Sequence, residues 1–568
     1  MAGLNGQQAA AIVILGAGSL ATARRIQQRY PQATIHGLRG RVEGADSQYD
    51  SFADTLRALY RQGTPIIALC AAGIVIRCLA SVLDEKGAEP PVLAVAEDGS
   101  AVVPLLGGLS GVNGMARELG EALGVAAAIT TSGELRFGTC LLNPPEGYAL
   151  ADLEQGKRFV SDLLAGEPVR IEGDAPWLAQ AQLPASDGAQ RTIHVGCEAR
   201  AASRSELLIH PRAVVVALAA GAPCLAEQVR GALRGAGIAE PSLACLLVAE
   251  QAMAEPSLQE AAVELGVALR FAAMPGTLAD MAAQALPGAR LSEQQGLVVA
   301  VAPAPLDVAG VGRKRGRLAV IGLGPGAAEL MVPAVKAELS RAQDILGYET
   351  YVRMAGPFRH DQVQHCTDNR EEMQRARHAF ELAAQGRSVV VVSSGDPGVF
   401  AMAAAVLEAL HASTDPAWHR VDLEILPGVS ASLATAAQAG APLGHDFCVM
   451  SLSDNLKPWS IIEKRLDLAA EADLVLAFYN PISKSRPHQL GLALDVVRRH
   501  RKGDTPVVLG RDIGRPGQTL KVVTLAELQP GMVDMRTMVL VGSSTTCTFE
   551  RLAGGCWAYT PRWYPAPR

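Results

Sequence analysis

With 568 residues, 49% of them hydrophobic and only 19% charged, and a formal net charge of -6, the chain has the composition of a compact globular protein rather than a disordered one. Its length exceeds one ordinary core, so several domains of about 100–200 residues are expected. The acidic balance and the lack of a basic run beside aromatics exclude a nucleic-acid platform, and no apolar stretch nears the ~20 residues of a membrane helix.

Ten cysteines are scattered without a C-x-x-C pair and without histidines at metal-ligand spacing. No metal site is therefore expected, and a reducing, cytoplasmic compartment is the natural setting. The start, "MAGLNGQQAAAIVILG", has no basic region and reads as a first strand rather than a signal peptide. From there the chain repeats one unit: a β-branched run, a Gly/Pro turn, then an amphipathic Ala/Leu/Glu/Arg segment. This is the alternation of α/β domains built on parallel sheets, and the apolar runs are continuous enough for burial on both faces.

In chain order, "VILGAGSLATARRI" sets Gly16, Gly18 and Ala21 as G-x-G-x-x-A between a strand and a helix, the opening of a dinucleotide fold. The next strand, "QATIHGLRGR", lacks the acid that would hold a ribose, while Arg39 and Arg41 suit a 2′-phosphate. A turn that needs its glycines for close packing is the simpler reading. Residues 172–200 turn polar and irregular, and "APAPLDVAGVGRKRGR" reads as a linker. The expected division is 1–200, a middle unit 210–302, a linker 303–316 and a C-terminal region 317–562, with lobes at about 317–428 and 429–562.

Chemistry-bearing loops accumulate in the last region. "LAVIGLGPGAAELM" places Gly322, Gly324, Pro325 and Gly326 between a strand and a helix, where glycines permit close approach of a ligand. "VVVVSSGDPGVF" runs a buried strand into Ser394, Gly395, Asp396, Pro397 and Phe400. Asp396 suits an Asx turn or a helix cap, and equally a ligand-facing acid at a strand's carboxyl end. Further turns hold Pro427, Gly428, Ser430 and Ala431, then Tyr479 and Asn480, then Val541, Gly542 and Ser543. No Ser/His/Asp constellation accompanies them.

Five such loops in this order resemble the tetrapyrrole methylase family over residues 317–562. "YETYV", "SSGDPGVF", "PGVSA", "FYNPISKSRP", "GRDIGRPG" and "VGSSTT" are most similar to the branch that methylates precorrin-3B at carbon 17 and contracts the ring during cobalamin synthesis. The resemblance implies a two-lobed α/β fold clamping S-adenosylmethionine. The cofactor wall would be Gly322, Gly324, Pro325, Gly326, Ser394 to Pro397, Phe400, Pro427, Gly428, Ser430, Ala431, Tyr479, Asn480, Val541, Gly542 and Ser543. Positioning supplies much of the rate of a methyl displacement, and ring contraction adds proton movements. Asp396 and Tyr479 are the proposed catalytic pair, with Tyr348, His445 and Asp454 as further acid/base candidates. The small-molecule substrate is a polycarboxylate, for which Tyr348, Arg353, Arg370, Lys484, Arg486, Arg511 and Arg515 are candidate holders. A homodimer and transient contact with other corrin-pathway enzymes are also implied.

Pro65 to Glu134 resembles the cobalt-precorrin-5A hydrolase family through Gly73, Ile74, Val75, Arg77, Gly111, Asn113 and "ITTSGE". Gly108 stands where that family has a histidine, and Ser132, Gly133 and Glu134 replace its usual A-T-D, which removes a group able to exchange protons near neutral pH. Residues 210–302 resemble the same family's C-terminal domain. Hydrolysis of a precorrin lactone, or tetrapyrrole binding without turnover, are the two roles this leaves open for the first half.

Overall fold

Isoleucine and valine runs enclosed on both faces form the centre of each large sheet, as in Ala11–Ile14, Val214–Leu218 and Val389–Val392. The computed structural model describes residues 9–83, 89–201, 203–221, 223–359, 361–368, 371–552 and 554–564. Two compact units divide at Arg315/Gly316, the second running from Gly316 to Gly356 and on from Gln362. No helix among the described residues is long and apolar enough to cross a membrane.

Three sheets build the first unit. The first has the order Ser47–Tyr49, Thr34–Leu38, Ala11–Ile14, Ile66–Leu69, Val92–Val95, Val102–Leu106, parallel except for its last pair. Strand order reverses between Ala11–Ile14 and Ile66–Leu69, as in doubly wound folds. At Gly16 and Gly18 an added Cβ would meet nothing within 4 Å, so close packing does not account for these glycines, contrary to the sequence expectation. A four-stranded sheet (Tyr148–Leu150, Glu206–Pro211, Arg191–Val195, Val169–Glu172) and a five-stranded one centred on Val214–Leu218 follow. The stretch read as a linker is held along the edge strand Ala268–Ala272. Phe271 and Arg313 exchange backbone hydrogen bonds of 2.8 Å, and Arg270 donates to the carbonyls of Ala309, Val311 and Gly312.

His36 lies within Thr34–Leu38, between two parallel neighbours, and burial pulls its imidazole from 6.5 down to about 4. A group that resists protonation when folded is protonated first in the unfolded chain. Stability is therefore full above about pH 6.5 and falls as pH drops toward 4, by at most about 3 kcal/mol. Denaturation of the first unit followed across that window should show the slope, and His36→Gln should flatten it.

In the second unit five parallel strands lie in the order Val363–Thr367, Asp344–Tyr348, Ser388–Ser393, Arg317–Gly322, Asp422–Leu426. Helices Glu372–Ala384 and Met402–His411 cover one face with Phe380, Ala376 and Val406. The second sheet, Phe447–Ser451, Val475–Tyr479, Thr537–Val541, Pro506–Arg511, Thr519–Thr524, is mixed: only its first pair is parallel. This departs from the parallel sheets expected from the apolar runs. Helices Trp459–Glu471 and Gln489–Val497 cover one face and Ala431–Ala439 the other. Two-sided burial, not strand direction, is what a continuous apolar run reports.

Candidate functional site

Gly322, Ser393 and Leu426 end three neighbouring parallel strands on the same side of the first lobe's sheet. The turns that follow meet. Gly324 and Gly395, both at positive φ (73° and 71°), exchange backbone hydrogen bonds of 3.1 and 2.8 Å. A Cβ on Gly322 would stand 2.4 Å from the Gly395 carbonyl oxygen, and one on Gly428 2.2 Å from the same atom. Only glycine allows three backbones this close.

Asp396 joins two of these turns. Its Oδ1 accepts from the Gly398 N–H at 2.8 Å, closing its own turn, and its Oδ2 accepts from the Gly428 N–H at 3.0 Å. Both carboxylate oxygens of Asp396, a catalytic candidate from sequence, are thus engaged with backbone and tie the two turns together. Ser430 caps helix Ala431–Ala439 by accepting from the Leu433 N–H. The Tyr479 hydroxyl, at the end of a strand in the same lobe as this helix, accepts from the Ser432 N–H at 3.1 Å. Phe400, at φ 54° and half exposed, lays its ring 5.4 Å from that of Tyr479, with the Lys457 ammonium 5.9 Å from its centroid. Burial lowers the Lys457 pKa.

Strand direction decides what else arrives here. Tyr479, Ser451 and Arg511 end strands that run the same way, so Asn480 donates to Ser451 Oγ at 3.0 Å and the 512–518 loop emerges alongside. Thr537–Val541 runs oppositely, pairing Val541 with Leu476. Val541, Gly542 and Ser543 therefore lie at the far end of the sheet, Gly542 about 13 Å along it from Tyr479 at roughly 3.3 Å per residue, and are not brought to the other candidates. His445, which precedes Phe447–Ser451, is at that far end too, beside Asp446 and Tyr564.

A cavity of about 600 Å³ opens between the lobes, walled by Gly326 and Leu330 on one side and by Leu433, Gln438, Ile513 and Gln518 on the other. The last five of these were not anticipated; Ile513 and Gln518 sit in or beside "GRDIGRPG", of which sequence reasoning used only the arginines. Arg515 lines the same cavity.

The remaining candidate cations are dispersed. Arg353 is exposed and pairs with Glu349, and Lys484 is exposed. Arg511 donates to Asp534 at 2.8 Å, and buried Arg486 donates to the Asn480 carbonyl at 3.1 Å, supporting its own loop. Arg370 lies outside the described residues. Tyr348 packs edge-on against Tyr351, at 5.4 Å, and Asp454 accepts from Gln489. Sequence reasoning missed Arg375, 3% exposed, which donates to Thr367 Oγ1 at 2.7 Å and the Asp368 carbonyl at 2.8 Å. It looks like any helix-surface charge, and only the fold buries it.

In the first unit Asn113 donates to Glu134 at 2.7 Å and to Thr131 at 2.9 Å, while Arg117 pairs with the other Glu134 oxygen. Arg117 and Glu134 border a cavity of about 550 Å³. Gly108, exposed in the turn before helix Val112–Leu123, adds no side chain, and Arg77 is exposed.

Residues 317–529 match the family described as Tetrapyrrole (Corrin/Porphyrin) Methylases, and residues 54–134 match Cobalamin synthesis G N-terminal. Over 250 residues the chain is 50% identical to a precorrin-3B C(17)-methyltransferase of Sinorhizobium sp, covering 44% of this chain and 97% of that protein. It is 46% identical over 262 residues to the cobalamin biosynthesis protein CobIJ of Mycobacterium tuberculosis strain H37Rv, 45% of this chain and 50% of that one. A probable cobalt-factor III C(17)-methyltransferase of Salmonella typhimurium is 39% identical over 249 residues, 44% of this chain and 99% of its own. Among solved structures the methyltransferase CobJ is 52% identical, covering 43% of this chain and all of that one, with a TM-score of 0.41.

Proposed function

Because the chain belongs to the tetrapyrrole methylase family, we propose that its second unit uses S-adenosylmethionine to methylate precorrin-3B at carbon 17, with ring contraction to precorrin-4, in cobalamin synthesis. The observation that carries this reading is the meeting of the 322–326, 394–400 and 427–430 turns beside a cavity of about 600 Å³. A space of that size, largely apolar with few polar groups, fits a small-molecule cofactor.

Pro325, Ser394 to Pro397, Ser430, Ala431, Tyr479, Asn480 and Gly514 would hold the cofactor. When bound, its sulfonium supplies an electrophilic methyl group. The chain's part is to orient: Asp396 sets the turns, and the Phe400 and Tyr479 rings pack 5.4 Å apart beside them. The Tyr479 hydroxyl, held by the Ser432 N–H, is the group we assign to proton movement at the macrocycle. A homodimer acting in the cytoplasm, in transient contact with other enzymes of corrin synthesis, completes the proposal.

For the first unit, tetrapyrrole binding without turnover is the favoured role. Both Glu134 oxygens are occupied, by Asn113 and Arg117, and Gly108 offers no side chain to exchange a proton.

Mass spectrometry of precorrin-3B after incubation with the full chain and S-adenosylmethionine tests the reading. One methyl gained by wild type, located by NMR, supports it. Gly428→Ala should bind no S-adenosylhomocysteine and transfer no methyl, since its Cβ would overlap the Gly395 and Gly322 carbonyl oxygens at 2.2 and 2.6 Å. Absence of methyl gain by a wild type that binds the cofactor would refute the substrate assignment.

A further inference from the structure

We infer that Arg515 is a latch between the two lobes of the second unit, a positioning residue for the cofactor turns rather than a holder of substrate carboxylates. The inference rests on the methylase reading for its functional consequence, but its geometry stands independently. From the loop after Pro506–Arg511, Arg515 crosses to the other lobe. Its Nε donates to the Pro325 carbonyl at 2.8 Å and its Nη2 to Ser394 Oγ at 3.1 Å. Those acceptors belong to two different turns, at the ends of adjacent strands Arg317–Gly322 and Ser388–Ser393. One planar guanidinium thus fastens both cofactor turns to the opposite lobe.

Two glycines make the approach possible. A Cβ on Gly326, at φ 137°, would lie 2.6 Å from Arg515 Cγ, and one on Gly514, at φ 82°, 2.9 Å from Pro325 Cγ. The loop that presents Arg515 is itself braced. Its backbone N–H donates to the Asp512 carbonyl at 2.9 Å, Gly514 donates to Gln518 at 2.9 Å, and the Asp512 carboxylate receives Arg511 and Arg536. Asp512 holds φ 51° to start this turn. A braced loop in one lobe therefore grips two turns in the other, at the wall of the 600 Å³ cavity that both lobes line. The span of that cavity depends on the grip.

A guanidinium fork can satisfy two acceptors at fixed separation, whereas an ammonium is a point donor on a flexible stem. Arg515→Lys should therefore behave much like Arg515→Ala. A substrate-holding role would instead tolerate lysine, because charge alone attracts carboxylate.

The test uses the full chain as wild type, Arg515→Lys, Arg515→Ala and Ser394→Ala. Calorimetry measures S-adenosylhomocysteine affinity, hydrogen exchange of the ligand-free protein follows the amides of Leu323, Gly324 and Gly326, and steady-state kinetics separates kcat from KM for the tetrapyrrole. Both Arg515 variants should bind the cofactor product about tenfold more weakly or worse, the loss of a well-made hydrogen bond or more. They should exchange those amides faster and lower kcat while KM for the tetrapyrrole stays within about twofold. Ser394→Ala should weaken wild type but not Arg515→Ala further, the signature of a shared interaction. Unchanged cofactor affinity and exchange in both Arg515 variants, with only KM raised, would overturn the latch. Should wild type itself fail to bind the cofactor product, the methylase reading falls, and the exchange rates alone decide whether the latch exists.

Discussion

Asp396→Ala is expected to abolish cofactor binding and to lower kcat/KM by at least about 100-fold while leaving the unit folded. The carboxylate accepts from the Gly398 N–H at 2.8 Å and the Gly428 N–H at 3.0 Å. Hydrogen bonds to a charged acceptor contribute about 1.5–3 kcal/mol each. Losing both lets the 394–400 turn move away from the 427–430 turn, and the Gly395 carbonyl, packed against Gly322 and Gly428, loses its registry. Asp396→Asn keeps the volume but only one acceptor oxygen, so its affinity should fall between the two. Calorimetry with S-adenosylhomocysteine checks the series. An asparagine variant that binds like wild type would show that the second hydrogen bond contributes nothing.

Arg501→Ala should destabilise the second unit by about 3–5 kcal/mol, the cost of breaking a buried charged network. The guanidinium donates to the carbonyls of Ala470, Leu474 and Gly542 and lies 3.0 Å from Asp473. These groups come from three segments at the end of the sheet remote from the cofactor turns: the helix Trp459–Glu471, the turn before Val475–Tyr479, and the end of Thr537–Val541. Asp473 keeps Ser544 and Tyr564 as donors, so the carbonyls bear most of the loss. Arg501→Lys can reach one carbonyl at a time and should recover less than half. Chemical denaturation reads both variants. A midpoint shift worth under about 1 kcal/mol for alanine would mean that water replaces the guanidinium, against its 7% exposure.

Local signals were read well because their causes are local. Four successive valines ending in Ser-Gly-Asp-Pro announce a buried strand and a turn, and the turn does close through Asp396 onto Gly398, two residues away. Gly322 was read as a point of close approach for a ligand and Gly428 only as part of a turn, whereas at both the approaching group is backbone. What distant structure decides was not legible. Val541, Gly542 and Ser543 look like every other strand end in this chain, yet their strand runs antiparallel, and an apolar run carries no arrow. Arg486 and Arg511 read as ligand holders, but the fold surrounds them with a carbonyl and with Asp534. For Gly16 and Gly18 the packing expected from the motif is absent.

By itself, then, the order of residues determined the alternating α/β elements, the turns at their ends and the family those turns belong to. Hydrophobic periodicity, glycine and proline act within a few residues and need no partner from elsewhere. Tertiary structure decided what each turn faces. Arg515 finds Pro325 and Ser394 at separations of 190 and 121 residues, and Tyr479 reaches Ser432 across 47. Contacts of that range depend on strand direction and on how two sheets dispose their ends, which side-chain chemistry read along the chain does not encode.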